Sequence, residues 1–232
     1  MIEEPRKLTV TRPARRPSDA QIAAFQNVPT GFVVDALFGD GALSADIQPL
    51  GQGRDLHCIA AGPALTAENG PADILATLAA LAFVQPGDIV VTSFGAHRGC
   101  AAAGDRLMGM LKNAGGAGLV TDGPMRDYAG LIEVGLPAWC TGLTPGSPYS
   151  SGPGRVGGPV VVGGRQVETG DMVVADRDGV VVVPFARLDE VISRLAGVAE
   201  SEAALDAEVA AGLAVPEAIR DLLDSAETRF ID

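Results

Sequence analysis

Three charged residues in this chain stand where chemistry is possible. Arg126 and Asp127 are adjacent, just after the apolar run Gly118-Leu119-Val120 and the turn Thr121-Asp122-Gly123-Pro124. If that run is a strand of a parallel sheet, the pair lies beyond its carboxyl end, where such sheets bind ligands. A guanidinium offers a planar fork for a carboxylate or an enolate oxygen. A neighbouring carboxylate is a hard oxygen donor suited to Mg2+, which takes one or two carboxylates and keeps several waters. The competing assignment is a surface ion pair, with Asp127 at the favourable N-terminal end of a helix over 125–134. Asp105 follows Gly104 and precedes Arg126 with twenty residues between them. Free N–H groups at a helix start can receive a carboxylate. Asp105 could act there as a base, or it could be an ordinary first-turn acid.

Other chemistries lack their residues. The histidines are His57 and His97, and neither an HExxH motif nor a His/Cys zinc spacing is present. The glycine-rich GPGRVGG (152–158) lacks the strand, helix and GK[ST] of a phosphate loop. No GxGxxG follows a strand, and no serine sits in a nucleophile elbow. Lys7 and Lys112 are the only lysines, and neither reads as the buried, depressed amine of a Schiff-base enzyme. Carbonyl chemistry here would need a metal as its electron sink. Cys58, Cys100 and Cys140 are widely spaced, which predicts buried reduced thiols, a reducing compartment and a cytoplasmic location. A net charge of −12 disfavours nucleic-acid binding. No apolar run approaches the roughly 20 residues of a membrane span, and the N-terminus lacks the apolar stretch of a signal peptide.

The elements that would position these residues follow from the pattern. The chain has 232 residues, 47% hydrophobic but only 4% aromatic, so the core must be Val, Leu, Ala and Ile. Residues 1–17, with three prolines and five cations, read as an arm that could dock on a neighbour. Ser18 and Thr30 are candidate helix caps. Alternating text then predicts a strand at 57–66, a helix at 69–84, a strand at 86–95, a helix at 101–116, a strand at 117–123, a helix at 125–135 and a strand at 136–142. That rhythm implies βαβ units and a parallel sheet. Residues 157–184 read as β-hairpins with Gly-Gly and Asp-Gly turns. Residues 185–232 turn helical and acidic, as one long helix or two, with Pro216 near the start of a last short one. The expected organisation is an arm (1–17), an α/β core (18–184) and a helical tail (185–232).

Gly, an acid, twenty residues and Arg-Asp together resemble the family that joins class II pyruvate aldolases to the regulator of ribonuclease activity A. VVDAL (33–37), AAGPALT (60–66), QPGDIVV (85–91), GLPAWCTGLTP (135–145) and 157–184 match in order. The resemblance spans roughly residues 20–215. It implies an RraA-like β/β/α fold of the swivelling-domain type, assembled as a homotrimer or a hexamer of two trimers. It implies cleavage of 4-hydroxy-4-methyl-2-oxoglutarate or 4-carboxy-4-hydroxy-2-oxoadipate with Mg2+ or Mn2+, and oxaloacetate decarboxylation as a side activity. By resemblance Asp127 is the metal ligand and Arg126 contacts the pyruvyl oxygen. Asp105 steadies a metal-bound water, and the N–H groups of Arg106 and Leu107 cradle the substrate carboxylate. A glutamate from the next subunit's tail completes the family's site; Glu202 fits the spacing best, with Glu200 as fallback. His97, in a loop bordering the site, either meets a distal substrate carboxylate or hydrogen-bonds a carbonyl. The family's regulator branch, a protein-binding module acting on a ribonuclease, and a lyase for a different oxo-acid are the alternatives.

Overall fold

The computed structural model describes residues 6–231; the first five residues of the arm and Asp232 of the tail lie outside them. In chain order the elements are β1 (Leu8–Val10), α1 (Asp19–Ala24), α2 (Thr30–Ala36), β2 (Gln48–Pro49), β3 (Ala60–Asn69), α3 (Leu75–Ala80), β4 (Ile89–Ser93), α4 (Asp105–Asn113) and β5 (Gly118–Thr121). They continue with α5 (Tyr128–Val134), β6 (Ala138–Cys140), β7 (Gly154–Val156), β8 (Val160–Val162), β9 (Arg165–Val167), β10 (Met172–Ala175), β11 (Val180–Val183), α6 (Leu188–Ala210) and α7 (Glu217–Asp224). This is an α/β fold built on one mixed sheet in the order β1-β7-β3-β4-β5-β6-β2, with β10 also pairing β3 and β11 pairing β10. Neighbours from β3 to β6 are parallel, as the alternating rhythm requires.

β3 is the hub, and it explains why the strand runs on to Asn69 where a helix was expected from that residue. Its first residues pair with β10, its middle with β4 and its end with β7, so the backbone finds ladder partners along its whole length. The following helix shortens to Leu75–Ala80, and Asp73 accepts the N–H of Leu75 at 2.8 Å. Thr30 is another departure. Pro29 takes the cap position, and Asp176 reaches across from the end of β10 to accept the Thr30 N–H and hydroxyl, both at 2.9 Å.

The sheet is buried on both faces. In β11, Val180 and Val182 pack into the cluster under the parallel strands, while Val181 and Val183 pack against α2 and α6. That two-sided burial is why 180–183 is an unbroken valine run. α6 is a single helix of 23 residues. It buries Leu188, Val191 and Leu195, all in its first half. Beyond them Leu205 and Val209 are exposed, as are Ile219, Leu222 and Leu223 of α7.

The arm lies along its own chain. β1 pairs in parallel with β7. Arg15 bonds Glu168 and Asp171, and Arg16 bonds Asp88. Those two aspartates close the two Gly-Asp turns: Asp88 accepts the N–H of Gln85, and Asp171 accepts the N–H of Glu168. Burial pushes both carboxyls above their usual range despite the arginines.

Candidate active site

The loops that leave β4, β5 and β6 are stitched together beyond the strand ends. Ala103, Met125 and Leu143 form consecutive parallel bridges. The Arg126 N–H donates to Ala103 O at 3.1 Å, and the Met125 N–H donates to Gly142 O at 2.8 Å. Buried Asp122 adds a brace, accepting the N–H of Phe94 (2.5 Å) and of Ala96 (2.8 Å). Arg126 and Asp127 therefore precede α5 on a braced carboxyl-end rim of the sheet.

Asp127 occupies the cap position of α5 with φ 65° and ψ 46°, and its side chain makes no capping bond. The purely structural assignment of this residue as a helix cap thus loses its hydrogen bond. The carboxylate instead lies 3.2 Å from Arg126 Nε and is partly exposed. Arg126 is steered further by donating from Nη1 to Ser147 Oγ at 2.6 Å. Gly104 makes the approach possible: a Cβ there would stand 2.6 Å from Asp127 Oδ2. Gly130 does the same for the other acid, since its Cβ would stand 2.5 Å from Asp105 Oδ2. Asp105 opens α4 and accepts the Arg106 N–H at 2.6 Å. That N–H, expected to face a substrate carboxylate, is engaged by the protein's own acid.

Asp105, Arg106, Leu107, Arg126 and Asp127 line one cavity of about 410 Å³. Its remaining wall is largely apolar, with Ile74, Leu78, Met110 and Pro148. Across the Arg126–Asp127 pair a second hollow of about 340 Å³ is walled by Tyr128, Leu143, Thr144 and Pro145. Tyr128 donates to Asp55 at 2.7 Å, and this bond holds its phenol above the usual range.

The sequence profile of the family described as RraA-like, Aldolase/RraA, matches residues 30–182. The chain belongs to the RraA-like family. Its similarity to a Halalkalibacterium halodurans protein named "Putative 4-hydroxy-4-methyl-2-oxoglutarate aldolase" is 34% identity over 173 residues, covering 75% of this chain and 80% of the relative. The solved structure of Streptomyces coelicolor RraAS2, described as an unusual member of the RNase ES inhibitor RraA protein family, superposes with a TM-score of 0.72 at 30% identity. It covers 83% of this chain and 100% of RraAS2. An uncharacterized Pseudomonas syringae protein also reaches 0.72, at 25% identity, over 85% of this chain and 96% of its own.

Within this RraA-like core, His97 lies elsewhere than expected. It sits in the loop after β4, its ring edge-on to Phe94 with centroids 5.7 Å apart, and does not line the cavity. Glu202, expected to serve a neighbouring subunit's site, lies on the outer half of α6. Ser147, Gly130 and the apolar wall were missed from sequence; Ser147 and Pro148 lie in a loop with no periodicity to mark them. The donor set suits a hard cation. Among the described residues no cluster of three or more His, Cys, Asp or Glu side chains forms, so a closed thiolate–imidazole zinc site is not built. Asp127, with Asp105 nearby on the same cavity, offers the one or two carboxylates that Mg2+ or Mn2+ takes alongside water and substrate oxygens.

Proposed function

We propose that this protein is a divalent-metal-dependent pyruvate aldolase cleaving 4-hydroxy-4-methyl-2-oxoglutarate-type or 4-carboxy-4-hydroxy-2-oxoadipate-type substrates. What carries this is the convergence of Asp105, Arg106, Leu107, Arg126 and Asp127, from two segments twenty residues apart, onto one cavity. The names of the aldolase relatives point the same way.

Asp127 would hold Mg2+ or Mn2+, whose Lewis acidity polarises an α-keto acid when bound. Arg126, held by Asp127 and Ser147, would steady the 2-oxo oxygen as it gains charge. The Leu107 N–H, in the first turn of α4, is placed to receive the substrate carboxylate. In cleavage the 4-hydroxyl loses its proton and the C3–C4 bond breaks. The electron pair remains on the pyruvyl half as an enolate, and a proton returned to C3 yields pyruvate. Asp105 is the group on this chain placed to move those protons through water, with Glu202 or Glu200 of a neighbouring subunit as its partner in a trimer or hexamer. Oxaloacetate would yield the same enolate by losing CO2.

The test is pyruvate release in a coupled lactate dehydrogenase assay, offering the two aldols and oxaloacetate with Mg2+ and with EDTA. Release that needs the metal is the expected result. Arg126→Ala and Asp127→Asn should each lower turnover by about 100-fold or more, with melting curves close to the unaltered protein's. Wild-type rates in either variant would overturn the assignment. A second reading, a non-catalytic protein-binding module, is favoured by the description of the RraAS2 relative; it predicts no pyruvate from any substrate.

A further inference from the structure

Resting on the aldolase reading and extending it, we propose that the Arg106 side chain sets substrate specificity by receiving a carboxylate at the end of the oxo-acid remote from its pyruvyl group. The charges lining the main cavity are Asp105, Arg106, Arg126 and Asp127. Arg126 is already engaged by Asp127 and Ser147. Asp105 is engaged by the backbone of Arg106. Among the described residues the Arg106 guanidinium has no ion-pair or hydrogen-bond partner, and the residue is exposed at the cavity rim. It is the one cation lining this cavity that a substrate anion could claim without breaking an existing pair.

The surroundings define what lies between the two ends. Besides its charged residues the cavity is lined by Leu107 and Met110 of α4 and by Ile74 and Leu78. These side chains accept methyl and methylene groups and offer no further donor. A single unpaired cation in a cavity with an apolar wall matches one distal carboxylate on a short, methyl-bearing spacer better than two. The preferred class is therefore the dicarboxylate 4-hydroxy-2-oxo acids, ahead of tricarboxylates.

The experiment compares two substrates with one skeleton. 4-Hydroxy-4-methyl-2-oxoglutarate carries the distal carboxylate, and 4-hydroxy-2-oxopentanoate carries hydrogen in its place. In Arg106→Ala the ratio of their kcat/KM values should fall about 30-fold, mainly through KM of the diacid, as loss of a charge-assisted hydrogen bond implies. Arg106→Lys should restore part of the ratio. An unchanged ratio, or an equal fall for both substrates, would overturn the role given to Arg106. Exchange of pyruvate methyl protons into D2O, followed by NMR on the unaltered protein, separates the two levels because it needs only the pyruvyl end. Exchange together with an unchanged ratio defeats this inference alone. Absence of both exchange and cleavage defeats the aldolase reading and this inference with it.

Discussion

Asp127 holds a left-handed backbone conformation that most side chains accept only at a cost of ~1–2 kcal/mol. Asp and Asn tolerate it best. Asp127→Asn should therefore keep the fold while removing the charge, which makes it the cleaner variant for separating stability from turnover. Gly104 gives a sharper test. Alanine there would press its Cβ against Asp127 Oδ2 and Arg126 Cγ. Displacing the pair by even an ångström should lower kcat on the order of 100-fold, with little change in the circular dichroism spectrum. Turnover near the unaltered level would mean that the Arg126–Asp127 geometry is not the working part. Asp105, Arg126 and Asp127 were legible because charge beside an apolar run is conspicuous. Gly104 and Gly130 in their true role were not, because each makes room for an acid on the other segment, and such closeness is tertiary.

The rule that alternating text means alternating strand and helix located β3 to β6 and the helices between them. It misjudged their ends, and the errors fall where polar side chains take over from backbone. Asn69, Thr77 and Thr92 show why. Asn69 Nδ2 donates to Thr77 Oγ1 at 2.7 Å and to Thr92 Oγ1 at 2.8 Å, and the two hydroxyls lie 2.6 Å apart. All three residues are buried. The network ties β3, α3 and β4 together, so Thr92 holds elements in place. Thr92→Val removes one close acceptor of the buried Asn69 amide and leaves the longer contact to Ser93 O at 3.4 Å. It should lower stability by about 1–2 kcal/mol in urea unfolding, while Arg126–Asp127 chemistry continues. A variant as stable as the parent would show that the network relaxes around the loss.

Across the whole molecule, consecutive arginines of one arm close two Gly-Asp turns belonging to different parts of the sheet. Asp88 sits between an ion pair that favours its charge and burial that opposes it, and burial prevails. With the folded pKa raised, the native state binds more protons than the unfolded chain between the ordinary carboxylate range and the raised value. Stability therefore falls as pH rises through that window, and the full burial cost is present at neutral pH. Arg16 offsets part of that cost. Arg16→Ala should lose about 2 kcal/mol at pH 7.5, and the deficit should shrink as the pH is lowered and Asp88 takes up its proton in the folded protein. A deficit that is constant with pH would show that Arg16 acts through packing instead. At this scale the sequence was least legible. Five cations among prolines announce an arm, but nothing local says where it lands.

That landing also orders events in time. Leu8 pairs with Gly154, and Arg15 reaches Asp171, 156 residues along the chain. The arm's partners at β7 and at the second turn lie far later in the chain than the arm itself. Closing so long a loop is entropically expensive, and the 168–171 turn lies 156 residues from its arginine where the 85–88 turn lies 72 from its own. The arm is made before everything it fastens, and each contact becomes possible only once its partner exists: Asp88 for the first turn, β7 for the β1 edge, and Asp171 for the second turn.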